Sequence, residues 1–325
     1  MQNDTQTERV LQVKDLTKLF RRRRAGPVTA VDHVSFSVDK NEVVGLLGPN
    51  GAGKTTTIKC IAGLIKPTSG EIWLNGIEAQ RQPKKAMERV AALLEGNRNI
   101  YWRLTPRENL EFFAGIQGHT VRKVKGYIDD LIELFDLKDK EKTSARMLSR
   151  GMQQKLALAC ALIRQTEVLL LDEPTLGLDV ETSYELRNVL KQMAARGERT
   201  ILLSSHDMHV VQDICERVIV INNGRVVVDD RVANLMKLFR VSAYRFELEG
   251  HLLGDLELRL KERFPLLALS STDHRTYIDA DLKDGTELYE VLDILKAGSM
   301  QVKSIGHKEP NLEEIFLAIV KGQLR

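Results

Sequence analysis

A glycine-rich segment that ends in lysine and threonine is the clearest sign of chemistry in this sequence. It matches the phosphate-binding pattern G-x-x-x-x-G-K-[ST]. In such a loop, small residues let backbone N–H groups turn toward phosphate oxygens. Lys54 would neutralise the β- and γ-phosphates, and the Thr55 hydroxyl is a ligand for Mg²⁺. The sequence therefore predicts a nucleotide site formed by Gly48, Pro49, Asn50, Gly51, Ala52, Gly53, Lys54, Thr55 and Thr56.

An acidic pair, Asp172 and Glu173, follows the apolar run at 168–171. In a P-loop sheet, a carboxylate at the carboxyl end of a buried strand holds the metal, which makes Asp172 the Mg²⁺ candidate. Glu173 would face the γ-phosphate, where a carboxylate can align and deprotonate an attacking water. An acidic pair alone would be better explained as an ordinary strand end, but the preceding P-loop favours catalysis.

A sheet with several parallel strands would bring these residues together. Apolar runs predict buried strands at 43–47, 90–94, 168–171 and 200–204. A helix is predicted from Thr55 to Ala62, and its positive N-terminal end would point at the bound anion. Because the carboxyl ends of parallel strands meet at one edge, the P-loop and the acidic pair are expected to lie close together.

Three further motifs complete a family pattern. Leu148-Ser149-Arg150-Gly151-Met152 precedes an apolar helix, Leu171 to Asp179 contains Asp-Glu-Pro-Thr-Leu-Gly-Leu-Asp, and Ser204-Ser205-His206-Asp207 lies downstream. Together with the P-loop they resemble the signature, Walker B, D-loop and switch histidine of ABC-type ATPases, over about residues 9–230. The resemblance implies an α/β P-loop ATPase core with a helical subdomain, ATP and Mg²⁺ as cofactors, and a head-to-tail homodimer.

The resemblance also assigns roles to single residues. Ser149 and Gly151 would bind the ATP that the P-loop of the other subunit holds, because they begin a helix that can receive an anion. His206 would contact the γ-phosphate and the attacking water, and Asp179 would couple the two sites of the dimer. Phe20 stands where the family has an aromatic that stacks on adenine, although a strand-end core residue is nearly as good an explanation.

Two positions depart from the family pattern. Met152 replaces the usual glutamine of the signature, a variant of the drug- and bacitracin-export branch. Glu95 replaces the glutamine that joins the Mg²⁺ shell and senses the membrane subunit. A glutamate can still accept a hydrogen bond from metal-bound water, so we expect a working site. Tyr101 and Trp102 follow closely, either in the groove for a short helix of the membrane subunit or inside the helical subdomain.

The composition of the chain limits the functional classes to which the protein can belong. The net charge of +3 lacks the basic excess typical of nucleic-acid binding, so no nucleic-acid partner is expected. The longest apolar run, Leu156 to Ile163, is far shorter than the ~20 residues of a membrane span. The N-terminus has no signal-peptide pattern, and three dispersed cysteines indicate buried thiols in a reducing compartment. We therefore expect a cytoplasmic protein.

Periodicity divides the chain into two domains. Residues 1–235 would form the nucleotide-binding domain, with its helical subdomain at about 100–160. There the spacing of Leu110, Phe113 and Ile116 places these three residues on one helix face. Residues 236–325 show the order β-α-β-β-α-β, which is typical of a small α+β, ferredoxin-like domain. We interpret this second domain as an accessory or dimerisation domain. The arginine run 21–24 would be a solvated loop between the first two strands.

These observations favour the ATP-binding and hydrolysing subunit of an ABC exporter. The homodimer would power separate transmembrane permease subunits and would lie on the inner face of the cell membrane through them. An importer ATPase is the main alternative, and importer ATPases usually have a strand-rich C-terminal domain. A non-transport ABC ATPase acting on ribosomes or DNA ends, and a module with a dead ATPase, are less well supported by the motifs.

Overall fold

The computed structural model describes residues 8–22, 26–96, 99–197, 199–238, 242–252, 254–265, 267–272, 275–282, 285–307 and 312–321. The chain divides into two compact units, residues 1–232 with 319–325 and residues 233–318. The predicted domain ranges 1–235 and 236–325, and the accessory or dimerisation role of the second, stay predictions.

The strands and helices are numbered along the chain. The strands are β1 (Arg9–Arg22), β2 (Gly26–Asp39), β3 (Val43–Leu47), β4 (Ser69–Leu74), β5 (Ile77–Glu78), β6 (Val90–Leu93), β7 (Val168–Asp172), β8 (Thr200–Ser204), β9 (Arg217–Asn222), β10 (Arg225–Arg231), β11 (Ser242–Glu249), β12 (Ala268–Thr272), β13 (Arg275–Leu282) and β14 (Val302–His307). The α-helices are α1 (Lys54–Ile61), α2 (Pro83–Met87), α3 (Pro106–Ile116), α4 (Val121–Leu134), α5 (Arg150–Leu162), α6 (Val180–Ala195), α7 (Met208–Ile214), α8 (Val232–Leu238), α9 (Gly254–Arg263), α10 (Gly285–Ala297) and α11 (Leu312–Val320).

The nucleotide-binding unit is built around a sheet with the strand order β10-β9-β3-β8-β7-β6. Its strands pair in parallel except for β10, which is antiparallel to β9. Every residue of β3, β7 and β8 is buried, as expected for strands covered on both faces. Because β3, β7 and β8 are parallel neighbours, the P-loop, Asp172 and Ser204 all lie at the carboxyl edge of this sheet.

A second, antiparallel sheet has the order β2-β1-β4-β5. Its long hairpin pairs Arg21 with Pro27 and Arg22 with Gly26. The interpretation of the arginine run as a loop is therefore wrong for Arg21 and Arg22, because ladder pairing continues to the end of β1. The other two arginines of the run lie outside the described residues. One apolar core joins this sheet, β3, β7, β9 and α1.

Helices α3, α4 and α5 form the predicted helical subdomain. The capping box of Thr105 and Glu108 starts α3, since each side chain bonds the other residue's backbone N–H. Leu110 and the apolar side of α4 are buried, as the helical spacing predicts. Ile116, the last residue of α3, was expected on the same face but is 58% exposed.

The second unit has the ferredoxin-like arrangement predicted from periodicity. Its four strands have the order β12-β13-β11-β14, all antiparallel. Phe246, Leu248 and Ile278 on one sheet face are buried in a core with residues of α9 and α10. The charged residues that alternate with them pair across strands on the other face, as Arg245 does with Asp279. This alternation produces one apolar and one polar face.

The three cysteines, Cys60, Cys160 and Cys215, are unpaired and buried, as the sequence predicted. Burial raises the pKa of Cys60 to about 11, so its thiol stays protonated and apolar at neutral pH. None of the helices in the described ranges combines the length and the apolarity needed to cross a membrane.

Candidate nucleotide and hydrolysis site

The P-loop connects the end of β3 to the start of α1. Lys54 is the first helical residue, only 7% exposed, and its Nζ donates to the carbonyl oxygens of Gly48 (2.6 Å) and Pro49 (3.2 Å). Burial lowers the pKa of Lys54, while the negative charges of Glu173 and Asp172 oppose this effect. The ammonium group is thus held across the loop, where it can exchange carbonyl contacts for phosphate oxygens.

Two glycines of the loop have no room for a side chain. Gly53 has φ +110°, and a Cβ there would lie 2.4 Å from the carbonyl oxygen of Ala30. A Cβ at Gly48 would lie 2.2 Å from the carbonyl oxygen of Ile221. These close approaches seat the loop against β2 and the end of β9.

Asp172 lies at the end of β7 and is 1% exposed. Its Oδ1 accepts hydrogen bonds from the Thr55 hydroxyl (3.1 Å) and the Ser204 hydroxyl (2.6 Å). Its Oδ2 is buried and has no partner within the part of the chain that the structure describes. A buried, unpaired carboxylate oxygen beside a threonine hydroxyl is a donor set of hard oxygens, so Thr55 and Asp172 fit Mg²⁺.

Glu173, the residue after Asp172, contacts His206. Oε2 of Glu173 lies 2.8 Å from Nδ1 of His206 and also accepts from the His206 backbone N–H at 3.3 Å. Glu173 has φ +52°, a left-handed conformation that is costly for a residue with a side chain. The Glu173 carboxylate is 10% exposed and the imidazole 56%, so solvent reaches the pair mainly at the imidazole.

The signature and the D-loop each begin a helix. The Ser149 hydroxyl caps α5 by accepting from the Met152 backbone N–H, and Asp179 caps α6 by accepting from the backbone and the hydroxyl of Thr182. These bonds from Thr182 lower the pKa of Asp179. The two helix starts also touch, because a Cβ at Gly151 would lie 2.5 Å from the Thr182 methyl carbon.

A cavity of about 220 Å³ lies between Glu173, the start of α5 and the segment that follows β6. Glu95 lines this cavity together with Glu173, the residue predicted to be the base. Arg150 lines the same cavity and approaches the D-loop, where a Cβ at Gly177 would lie 2.5 Å from its guanidinium. Among the residues that the structure describes, the walls of the cavity carry two carboxylates and one guanidinium.

Phe20 lies in β1, with 38% of its surface exposed. Lys18 Nζ stands 5.1 Å from the centroid of its ring. The side chain is therefore not a core residue, and its exposed ring remains available for the predicted stacking on adenine.

An aromatic patch covers one side of the helical subdomain. Tyr101 and Trp102 are 49% and 44% exposed, and the Tyr101 ring lies edge-on to that of Phe112 at 4.5 Å. Buried Asn109 holds the segment, accepting from the Tyr101 backbone N–H and donating to its carbonyl. Phe112 and Ile116 extend the patch, which we define as Tyr101, Trp102, Phe112 and Ile116.

Comparison with known proteins defines the family. A family model described as ABC transporter matches residues 31–176. NatA, an ABC transporter ATP-binding protein of Bacillus subtilis (strain 168), is 41% identical over 200 residues, 62% of this chain and 81% of NatA. BcrA, the bacitracin transport ATP-binding protein of Bacillus licheniformis, is 36% identical over 316 residues, 96% of this chain and 98% of BcrA. The chain belongs to the ABC transporter ATP-binding proteins.

This ABC ATPase has relatives named for transport of different solutes. MetN, the methionine import ATP-binding protein of Geobacillus kaustophilus (strain HTA426), is 34% identical over 232 residues, 70% of this chain and 67% of MetN. The predicted family, ATPase activity and ATP binding are confirmed by family membership, and ABC ATPases of this kind work with separate transporter components.

Solved structures confirm the fold of this ABC ATPase. One described as the ATP-binding subunit of an ABC transporter has a TM-score of 0.62 at 31% identity, covering 71% of this chain and 93% of that chain. A dimeric ATP-binding cassette with ADP and Pi has a TM-score of 0.62 at 24% identity, covering 68% of this chain and 98% of that chain.

Sequence reasoning did not single out three residues that contact the site. Ser204 bonds Asp172, Thr182 bonds Asp179, and Arg150 approaches the D-loop. Ser204 and Thr182 could have been found only as polar residues at a strand end and a helix start. Their partners lie in a neighbouring strand or depend on helix geometry, which motif spacing does not encode.

Proposed function

We propose that this ABC ATPase hydrolyses ATP as a head-to-tail homodimer and drives export through separate permease subunits at the inner face of the cell membrane. The observation that supports it best is the convergence of Lys54, Asp172, Glu173 and His206 at one sheet edge. These four residues provide phosphate binding, a metal ligand, a base and a partner for that base. A module with a dead ATPase has no need of such a set.

Nucleotide binding begins with the P-loop. Lys54 turns from the loop carbonyls to the β- and γ-phosphates, and the N–H groups of the loop bind the same oxygens. Thr55 and Asp172 would hold Mg²⁺, with Glu95 on its outer side, and the ion would neutralise charge that develops on the phosphates. Phe20 stacks on the adenine ring.

Hydrolysis then depends on Glu173. Its carboxylate lies within hydrogen-bond distance of His206, which restricts the orientation of the carboxylate. Glu173 accepts a proton from the attacking water, while His206 contacts the γ-phosphate and aligns the water. Because the base is held by its backbone bonds to Ser204 and by the imidazole, little reorganisation is needed at the moment of attack.

Dimerisation completes each site. The N-terminal turn of α5, with Ser149, Gly151 and Met152, would bind the γ-phosphate of the ATP on the other subunit. Asp179 would reach across the same interface and couple the two sites. The contact between Gly151 and Thr182 supports this role, since it keeps the signature and the D-loop together in one subunit.

The aromatic patch is the proposed docking surface for a permease. Exposed aromatic rings in a cluster are typical of anchor positions in protein interfaces. Tyr101 and Trp102 follow the Glu95 segment, so a helix seated there would act on the site through a short stretch of chain. The C-terminal unit is proposed as an accessory or dimerising domain.

Export is favoured over import by the extent of the similarity. The match to BcrA includes the C-terminal unit, whereas the match to MetN covers only 70% of the chain. Two assays would distinguish the directions when the chain is produced together with the membrane protein encoded beside it. Resistance of cells to bacitracin supports export, and accumulation of labelled methionine supports import, in each case only if Glu173→Gln abolishes it.

The ATPase proposal is tested with the purified chain and its Glu173→Gln variant. We expect the variant to lose ATP hydrolysis by about 100-fold or more, because proton transfer from water is lost. It should still bind ATP and dimerise, as measured by light scattering. The control is Glu88→Gln, an exposed glutamate at the end of α2, which should retain turnover. Turnover by Glu173→Gln close to that of the control would exclude Glu173 as the base.

A further inference from the structure

Ser204 connects the two acidic residues of the site. It is the last residue of β8 and is completely buried. Its hydroxyl donates to Oδ1 of Asp172 at 2.6 Å, and the Glu173 backbone N–H points to both the Ser204 hydroxyl (3.2 Å) and the Ser204 carbonyl oxygen (3.1 Å). One serine thus bonds the metal-binding candidate and the base candidate.

The direction of these bonds follows from the chemistry of a hydroxyl. Ser204 has one proton to donate, and Asp172 takes it because a carboxylate only accepts. The lone pairs of the hydroxyl are then free to accept from the Glu173 N–H. The bond to Asp172 is short and charge-assisted, which makes it the stronger of the two.

The bond to Asp172 decides which carboxylate oxygen stays open. Oδ1 accepts from both Ser204 and Thr55, whereas Oδ2 has no partner within the described ranges. Without the serine hydroxyl, only the longer bond from Thr55 would distinguish the two oxygens of the carboxylate. Ser204 therefore helps to keep Oδ2 as the carboxylate oxygen that is left for a further ligand.

The bonds to Glu173 hold a strained backbone. A non-glycine residue with φ +52° persists only where its surroundings enforce it. The two acceptors on Ser204 fix the N–H of Glu173, and this conformation directs the side chain to His206. The end of β8 thus sets the position of the base that directly follows β7.

We propose that Ser204 is a positioning residue for hydrolysis, orienting Asp172 through its proton and Glu173 through its lone pairs. The proposal rests on the function of Glu173 as the base. It assigns no contact with nucleotide to Ser204, so binding and turnover should separate when the hydroxyl is removed.

The test compares Ser204→Ala with Thr166→Val. Thr166 is a buried residue two positions before the start of β7, and its hydroxyl donates to the Val168 carbonyl oxygen, so its loss controls for a missing buried hydrogen bond. We expect Ser204→Ala to lower kcat by about 10- to 100-fold and to raise the Mg²⁺ concentration needed for half-maximal turnover several-fold. The Kd for ATP without Mg²⁺ should stay within about twofold of the wild type, and Thr166→Val should retain kcat.

A second measurement does not depend on turnover. Hydrogen exchange of the Glu173 amide, measured without nucleotide, should be faster by about tenfold in Ser204→Ala and unchanged in Thr166→Val. Ser204→Thr, which keeps the hydroxyl, should restore slow exchange. Unchanged exchange and kcat in Ser204→Ala would overturn the proposal, as would equal losses of kcat, ATP affinity and thermal stability, which indicate a merely structural role.

The outcome for Ser204 can be separated from that for Glu173. If Glu173→Gln keeps its turnover, the function proposed for Glu173 fails, whatever Ser204 does. If Glu173→Gln is inactive and Ser204→Ala is fully active, only the role of Ser204 fails. At saturating Mg²⁺, where the effect through Asp172 is compensated, adding Ser204→Ala to Glu173→Gln should cause no further loss of turnover, and a second full loss would contradict action through Glu173.

Discussion

Nδ1 of His206 lies 2.8 Å from Oε2 of Glu173, although 33 positions separate the two residues in the chain. The contact joins the loop after β8 to the loop after β7, at the sheet edge where the P-loop follows β3. It holds the carboxylate on its strained backbone before any substrate is present. The base candidate is thus preorganised by a partner from a neighbouring strand.

We expect His206→Ala to lower kcat for ATP hydrolysis by about 100-fold or more, because Glu173 loses its side-chain partner. The Kd for ATP should change little, since Lys54 and the loop N–H groups provide most of the phosphate contacts. Turnover and nucleotide titrations measure the two effects. His209→Ala, an exposed histidine in the next helix, is the control. Equal activity of the two variants would contradict the role of His206.

Lys54→Met should raise the Kd for ATP by about 10- to 100-fold, because a charge-assisted bond to phosphate is lost. Burial lowers the pKa of Lys54. Folding of the nucleotide-free protein is therefore less favourable when Lys54 is protonated than when Lys54 is neutral. The variant should therefore be at least as stable as the wild type without ATP and gain less stability when ATP is added. Thermal unfolding with and without ATP measures the stability of the free protein and the stability gained from ATP. An ATP-dependent rise in the unfolding temperature as large as that of the wild type would contradict the prediction.

Gly151→Ala should disturb the contact between α5 and α6, because its Cβ would lie 2.5 Å from the Thr182 methyl carbon. Separating these helices is expected to cost about 1–3 kcal/mol of unfolding free energy and to weaken ATP-dependent dimerisation. Adding Thr182→Ala removes the clashing atoms and should restore part of the unfolding free energy and part of the ATP-dependent dimerisation. Light scattering measures dimerisation, and unfolding in denaturant measures the unfolding free energy. Failure of the second substitution to help would argue against a steric cause.

Glu95→Gln tests the charge at the edge of the metal site. Removing a carboxylate should raise the Mg²⁺ requirement for turnover about two- to fivefold, because attraction to the cation falls. The same change should strengthen ATP binding without Mg²⁺, because repulsion of the phosphates falls. Opposite shifts in these two titrations are the expected result. Shifts of the same sign would mean that Glu95 acts through folding and not through its charge.

Phe246→Ala tests whether the two units are independent. Phe246 is fully buried in the core of the C-terminal unit, so its truncation should cost about 3–5 kcal/mol there. Binding of ATP to the nucleotide-binding unit should stay within about twofold of the wild type, while scanning calorimetry shows an earlier transition for the C-terminal unit. Loss of ATP affinity in proportion to stability would indicate a single cooperative unit.

Much of the fold was predictable because local patterns carry it. The continuous apolar runs of β3, β7 and β8 indicate strands buried on both faces, and the alternation in β11 indicates a sheet with one polar face. The exposure of Ile116 was not predictable, because helical spacing shows which residues share a face but not where the packing partner ends. The pairing of Arg21 and Arg22 was not predictable either, because the sequence of the arginine run does not show how far the hairpin with β2 continues.

For the site, the sequence alone determined which residue types take part and in what order, since phosphate loops and catalytic carboxylates need particular atoms at particular positions along the chain. Only the tertiary structure decided that Ser204 bonds both Asp172 and Glu173, that Oδ2 of Asp172 stays unpaired, and that Gly151 meets Thr182. Such contacts depend on the register between neighbouring strands and on the spacing between helices. Both are set by the packing of the whole core, which no local pattern records.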